Sequence, residues 1–202
     1  MQALPRRTAL AALLLGVVCL GGSQWPRRKA NAVAALPTDD LCIIAPPTPY
    51  DRTSGLALEA AREVPAEARC PVCGMYPARS RAWAAQVIFA DGDAYFFDSP
   101  VSLLLYLGNP ARYTQGRNAN AIVARYVTDA ATQAWIDAGT AFYVQGSSAL
   151  GPMRAGNLPA LGSAGAARQF AQQRGGRVLA LADIDAALLQ SLSSGRHAAH
   201  ES

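Results

Sequence analysis

Histidine and lysine are almost absent from this chain of 202 residues. Both histidines, His197 and His200, lie within the last six positions, and Lys29 is the only lysine. Because residues 1–196 contain no histidine, a Ser-His-Asp catalytic triad and a zinc site with histidine ligands are excluded there. No phosphate-binding loop and no cleft with paired carboxylates stands out either. We therefore expect a protein that is not an enzyme.

Long hydrophobic runs are also lacking. The N-terminal run, residues 8–22, is shorter than the stretch of about 20 apolar residues that a transmembrane helix needs. Two arginines precede this run and a small-residue cleavage site ends at Ala32, so residues 1–32 are predicted to be a signal peptide. Lipidation at Cys19 is the second alternative and an uncleaved membrane anchor is the third. The rest of the protein is expected to be exported.

An excess of positive charge is missing outside this leader. Residues 1–32 carry five of the 18 basic side chains and none of the 14 acidic ones, although the whole chain has a formal net charge of +4. The remaining 13 basic and 14 acidic side chains give a net charge of −1. Because the arginines are spread singly along the sequence, no basic face remains for nucleic acid. We expect no nucleic-acid partner.

Cysteine is scarce, and its placement is the most informative feature of the sequence. Removal of the leader leaves Cys42, Cys70 and Cys73, an odd number that does not suit a framework of disulfides. Cys70 and Cys73 belong to the run Cys-Pro-Val-Cys-Gly-Met, which ends at Met75. Thiolate and thioether ligands together select a soft ion such as Cu(I) over zinc, calcium or magnesium. The run therefore predicts a Cu(I) site.

Other interpretations of these sulfur atoms stay open. Met153, in a Gly-Pro-Met turn, is a candidate second thioether ligand, but a packing role as a loop anchor fits its position equally well. For Cys70 and Cys73 the spacing alone supports a metal site and a disulfide equally. A structural zinc site lacks a second pair of ligands, whereas a redox-active pair and an inert disulfide both remain alternatives.

The pattern of apolar residues and turn signals predicts an α+β fold. A proline-containing linker and lead-in, residues 33–68, precedes a unit of ββαβ order over 69–130, with strands at 83–89, 94–98 and 121–127 and a helix at 99–107. The same order recurs over 131–192, with strands at 140–145, 153–161 and 177–181, a helix at 163–174 and a final helix at 183–192. We therefore predict two related small ββαβ units in tandem after an exported leader and linker. Residues 193–202 are expected to be a disordered tail.

Several of these motifs, taken together, resemble the NosL family of accessory proteins for assembly of nitrous oxide reductase. The resemblance covers roughly residues 69–184. It rests on the run from Cys70 to Met75, Phe96-Phe97-Asp98, Phe142-Tyr143-Val144, Gly151-Pro152-Met153 and Gly175-Gly176-Arg177-Val178-Leu179.

The resemblance implies a periplasmic Cu(I)-binding protein, often a lipoprotein, that works with nitrous oxide reductase and its membrane-associated maturation complex. It implies copper ligands at Cys70, Cys73, Met75 and Met153, in a monomer or a metal-bridged dimer. Relatives commonly continue Gly-Pro-Met with Gly-His, whereas Arg154 and Ala155 follow here, so a histidine ligand from that turn is absent. The lipoprotein signal is also poor. A thiol-disulfide oxidoreductase and a disulfide-stapled interaction domain stay as alternatives.

Overall fold

The computed structural model describes residues 45–152, 154 and 157–198. The predicted signal peptide, Cys42 and Met153 lie outside these residues, so the predictions made for them stay predictions. Within the described ranges, no helix combines the length and the apolar character needed to cross a membrane.

The described residues form two antiparallel sheets with helices packed against them. The elements in chain order are β1 (Ala85–Phe89), β2 (Ala94–Phe97), α1 (Pro100–Gly108), β3 (Ile122–Thr128), β4 (Trp135–Asp137), β5 (Phe142–Gln145), β6 (Ala160–Leu161), α2 (Ala164–Arg174), β7 (Arg177–Ala180) and α3 (Ala186–Ala198). Short 3-10 helices occupy Pro77–Trp83, Pro110–Arg112, Ala119–Ala121 and Leu181–Asp183.

Both halves of the described chain have the same topology. β1 pairs with β2 and β3 in a sheet of order β2-β1-β3-β4, and β5 pairs with β6 and β7 in a sheet of order β6-β5-β7. The connection from the second strand to the third passes through α1 in the first unit and through α2 in the second. The predicted α+β fold with two ββαβ units is therefore confirmed.

The central strand β1 is buried along its whole length. Val87 faces the core that β1 shares with α1, whereas Ile88 packs on the opposite side of the sheet with Val64 of the lead-in. Because the lead-in covers this second face, both faces of β1 lie away from water. The described part of the lead-in, residues 45–68, consists of turns and extended chain and contains no helix.

Helix α1 fixes the end of β2, next to the candidate site. Ser99 is its N-cap and accepts the N–H of Ser102 at 3.3 Å, while Pro100 occupies the first turn, as the sequence predicts. The buried Tyr106 packs against Phe97, the last residue of β2, with ring centroids 5.0 Å apart. This packing holds the start of the helix and the end of the strand together.

One strand, β4, was not predicted. It pairs with β3 in a hairpin that places Ile136 opposite Val127. The turn is held by Asp129, whose carboxylate accepts the N–H of Ala131 at 2.7 Å. A strand of three residues is too short to show an alternating pattern, which is why the sequence did not indicate it. The first sheet consequently continues beyond residue 130, the predicted boundary between the units.

The second unit departs from its prediction at two places. β6 has only two residues where a strand over 153–161 was expected, because Pro159 has no N–H to donate to a neighbouring strand. At the C-terminal end, α3 extends to Ala198, into residues expected to be disordered. Gly195 lowers helix propensity by roughly 1 kcal/mol relative to alanine but keeps its backbone N–H, so it does not end the helix.

Candidate metal centre

The Cys-Pro-Val-Cys-Gly-Met run folds into a tight turn that Cys70 closes. The N–H of Cys70 donates to the carbonyl of Met75 at 2.8 Å, and the carbonyl of Cys70 accepts the N–H of Gly74 at 2.8 Å. Gly74 has a φ of 73°, in the left-handed region that side chains disfavour. The glycine therefore lets the chain reverse directly after Cys73, so that both thiols belong to one compact turn.

Two thiols and one carboxylate converge at this turn. The Sγ atoms of Cys70 and Cys73 and a carboxylate oxygen of Asp98 all lie within 4.8 Å of one another. Cys70 is fully buried and Asp98 is 1% exposed, whereas Cys73 is half-buried. Both cysteines are free thiols. We call these three residues the Cys-Cys-Asp cluster. Its Cys70 and Asp98 side chains are buried, and its Cys73 thiol is more accessible.

Asp98 is placed by the junction between β2 and α1. It follows the last residue of β2 and precedes Ser99, whose hydroxyl donates to Asp98 Oδ1 at 3.4 Å. The other oxygen, Oδ2, is buried and has no hydrogen-bond partner. A buried carboxylate oxygen without a donor is destabilising, and the N-terminal end of α1 offsets only part of its negative charge. Asp98 therefore places a buried, incompletely compensated negative charge beside the two thiols.

The cluster keeps the Cys73 thiol protonated. A hydrogen bond with Cys70 raises the pKa of Cys73, and burial and the negative charges of Cys70 and Asp98 raise it further. A hydrogen bond from the backbone N–H of Met75 lowers the pKa, but it is the smallest of these effects. A metal ion that binds Cys73 must therefore displace a proton.

Met75, a predicted thioether ligand, lies at the rim of the turn. Met75 is 39% exposed, whereas Cys70 of the same turn is fully buried. The structure thus brings Cys70, Cys73 and Met75 together on one turn, with the thioether on the outside.

Met153 lies outside the described residues, but its neighbours in sequence do not. Leu150 and Arg154 line a hollow together with Leu192 of α3. About one turn earlier on the same helix, Leu189 lines a groove that also contains Val72 of the cysteine turn. Residues of α3 therefore border both the loop and the turn that were predicted to contribute ligands.

The cluster combines two soft donors with one hard donor. Thiolates suit Cu(I), and thioethers suit it as well, whereas carboxylate oxygens favour harder ions. Among the described residues, no further histidine, cysteine, aspartate or glutamate joins the cluster. An ion held here would keep an open position for a thioether of this chain or for a ligand from another protein.

Sequence reasoning missed Asp98 as a member of the site. The sequence pattern places Asp98 at the end of the predicted strand 94–98 and assigns it no role in metal binding. The structure shows that Ser99 caps α1 through its own hydroxyl, so the helix does not need the carboxylate for this bond. A signal was available: an acidic residue directly after a buried aromatic strand, beside a residue that already serves as the cap.

The chain is similar to solved structures of NosL proteins. The crystal structure of the copper chaperone NosL from Shewanella denitrificans matches with a TM-score of 0.53 and 22% identity, over 64% of this chain and 98% of that one. The solution structure of apo-NosL from Achromobacter cycloclastes has 33% identity and a TM-score of 0.38, over 52% of this chain and 87% of that one. No curated protein matches.

The sequence model of NosL matches residues 61–189, which include the cysteine turn and nearly all of both ββαβ units. The resemblance predicted from the motifs is confirmed by this match. The chain belongs to the NosL family.

Proposed function

We propose that this protein is a Cu(I)-binding metallochaperone that assists copper-site assembly of nitrous oxide reductase. The observation that carries the proposal is the convergence of two free thiols and an unpartnered buried carboxylate beside an exposed Met75, in a chain of the NosL family. The NosL protein of Shewanella denitrificans is a copper chaperone, and we extend that role to this chain.

The choice of Cu(I) follows from the donors. Two thiolates with a thioether are soft ligands, and soft ligands select Cu(I) over the harder divalent ions. Copper held by Cys70 and Cys73 also prevents these thiols from forming a disulfide in an oxidising compartment. Copper is the cargo of this site rather than a resident cofactor.

The geometry favours delivery over storage. Cys73 is half-buried and Met75 is exposed, whereas Cys70 is fully buried. An incoming ligand can therefore approach copper from the solvent-exposed side of the turn while Cys70 still binds the ion. A set of few ligands permits their replacement one at a time. In this role Asp98 raises the pKa of Cys73. Protonation of the Cys73 sulfur then competes with copper binding and favours release of the ion.

The place of action and the partners follow from the same proposal. The predicted leader takes the protein to the periplasm, either free after cleavage or attached through its N-terminus. Nitrous oxide reductase and its membrane-associated maturation complex are the proposed partners. The protein acts as a monomer or as a metal-bridged dimer, with Met153 as a further candidate ligand.

A thiol-disulfide oxidoreductase is the less favoured function. Reactive thiols of such enzymes have lowered pKa values and usually sit at the N-terminus of a helix. Here Cys70 is fully buried, the more accessible Cys73 has a raised pKa, and the turn leads into a short 3-10 helix at Pro77–Trp83 rather than into a long α-helix. We therefore propose that the protein is not an enzyme.

The proposal is tested by an anaerobic competition for Cu(I) between the protein and bathocuproine disulfonate. Replacing Cys70 and Cys73 together by serine is expected to lower the Cu(I) affinity by roughly 100-fold or more. Loss of a residue that only orients a metal ligand typically lowers metal affinity about 10- to 100-fold, and loss of the ligands themselves should cost at least as much. Cys42→Ser is the matched control, since it removes a cysteine that does not belong to the Cys-Pro-Val-Cys-Gly-Met run, and it is expected to leave the affinity unchanged. Equal affinities of the double variant and the wild type would reject the site.

A further inference from the structure

Two arginines meet on one aromatic ring beside the rim of the cysteine turn. The guanidinium carbon of Arg69 lies 4.4 Å from the centroid of the Tyr76 ring, and that of Arg79 lies 4.6 Å from it. Arg69 also donates hydrogen bonds to the Tyr76 hydroxyl and, at 3.4 Å, to the carbonyl of Gly74. We call Arg69, Tyr76 and Arg79 the arginine platform. Met75 lies between Gly74 and Tyr76 in sequence, so the platform flanks the exposed thioether.

The charges of this platform are not neutralised within the described part of the chain. Neither Arg69 nor Arg79 forms an ion pair with a described carboxylate, although Glu67 is only two residues from Arg69. Other arginines differ, because Arg117 pairs with two aspartates on the β1–β2 hairpin. The platform therefore presents two exposed positive charges.

The platform is also held in place before any partner arrives. The negative face of the Tyr76 ring attracts the guanidinium groups. The hydrogen bonds of Arg69 to Gly74 and Tyr76 also hold its side chain against the turn. A guanidinium group that is already ordered loses less conformational freedom when it binds. Its planar fork of N–H groups matches a carboxylate with two parallel hydrogen bonds.

We infer that the arginine platform is the docking surface for the protein that exchanges copper with Met75 and Cys73, and that this partner presents carboxylates around its own copper ligands. The inference rests on the proposed function, because it assigns the partner of the same site. Opposite charges around the two sites steer the proteins together and orient them. Transfer then follows as a soft ligand of the partner replaces Met75 or Cys73 on the copper.

A protein partner fits these observations better than a membrane surface. Lipid binding through charge alone typically uses clusters of about four to eight basic residues, whereas the platform has two. A lipid headgroup also offers no soft ligand, while Tyr76 of the platform directly follows the exposed Met75 in the chain.

The inference is tested with two Cu(I) chelators that differ in charge. Bicinchoninate carries two carboxylates, and neocuproine is uncharged; both bind Cu(I) through ring nitrogens. In stopped-flow experiments at low salt, Arg69→Gln/Arg79→Gln is expected to slow removal of copper by bicinchoninate about three- to tenfold, because the steering charges are gone. The rate with neocuproine is expected to stay unchanged, and added salt should remove the difference from the wild type.

Three controls make the result specific. Arg52→Gln/Arg168→Gln removes the same charge from exposed positions elsewhere and is expected to leave both rates unchanged. Arg79→Gln alone leaves the Arg69 bond to the turn intact and is expected to give part of the effect with bicinchoninate. Sedimentation with phosphatidylglycerol vesicles is expected to leave the wild type in solution.

Several results would overturn the inference. Equal slowing with both chelators, or no slowing with either, would show that the platform does not steer an anionic partner. Vesicle binding that disappears in the double variant would assign the platform to a membrane instead. A wild type that does not retain Cu(I) would already fail the equilibrium competition, so failure of the proposed function is recognised before any rate is measured.

Discussion

Asp98 is the residue that links the fold to the chemistry of the site. Its position is set by the packed junction of β2 and α1, yet one of its oxygens has no hydrogen-bond partner. Its negative charge acts on Cys73 and is one reason why the pKa of that thiol is raised. The same carboxylate can therefore weaken the hold on Cu(I) without contacting the ion.

The raised pKa gives the copper affinity a definite pH dependence. Since Cys73 is protonated near neutral pH, Cu(I) binding releases at least one proton, and the affinity should rise at least about tenfold per pH unit between pH 6 and pH 8. Asp98→Asn removes a charge that raises the pKa, so its affinity at pH 7 should be several-fold higher than that of the wild type. Chelator competition at a series of pH values measures both effects.

The control for this experiment is Asp137→Asn, because Asp137 is exposed and lies outside the cluster. Its copper affinity should match that of the wild type at every pH. A lower affinity of Asp98→Asn would contradict the account and would identify Asp98 as a ligand of the ion.

At the scale of elements, one buried side chain hydrogen-bonds the lead-in to the central strand. Gln86 of β1 is fully buried; its Oε1 accepts the N–H of Arg62 at 3.0 Å, and its Nε2 donates to the carbonyl of Arg62 at 3.0 Å. The amide thus satisfies both backbone groups of a residue that belongs to no helix or strand. This bond attaches the segment before the cysteine turn to the sheet.

Gln86→Ala is expected to lower the free energy of unfolding by about 2–3 kcal/mol, because it leaves backbone groups of Arg62 without partners and opens a cavity. Urea denaturation followed by circular dichroism measures the change. Gln173→Ala, at an exposed position of α2, should alter the stability by less than about 0.5 kcal/mol. Similar effects of the two substitutions would show that the lead-in is not held through Gln86.

The sequence predicted most elements because their signals are local. The largely apolar run before Asp91-Gly92, the Ser99-Pro100 start of α1 and the Gly175-Gly176 stop of α2 each act over a few residues, and each element lies close to where it was predicted. The covering role of the lead-in was not predictable in this way. It results from long-range contacts, such as the hydrogen bonds between Gln86 and Arg62, 24 positions apart, and the packing of Val64 with Ile88.

The candidate site was predictable in part for the same reason. Cys70, Cys73 and Met75 share one short motif, so their proximity follows from sequence spacing alone. Asp98 joins them only because the turn packs against the end of β2, and this is a property of the tertiary structure. The sequence around Ser99 draws attention to Asp98, but only the tertiary structure shows that it lies beside the two thiols.

At the scale of the whole molecule, the two units form one body with a shared core. Cys70 and Phe97 of the first unit lie in the same buried cluster as Tyr143 and Leu158 of the second. Asp129 joins the units directly, because its carboxylate accepts the N–H of Gly162 at 2.8 Å. The second unit thereby supports the turn that carries the cysteines.

The most direct test of the account is X-ray absorption at the copper edge on the full-length protein, loaded anaerobically with one equivalent of Cu(I). We expect a Cu(I) edge and a first shell of sulfur atoms, which Cys70→Ser/Cys73→Ser should abolish and Met153→Ala should reduce. A first shell of nitrogen or oxygen, or a sulfur shell that survives loss of both cysteines, would contradict the proposed copper site.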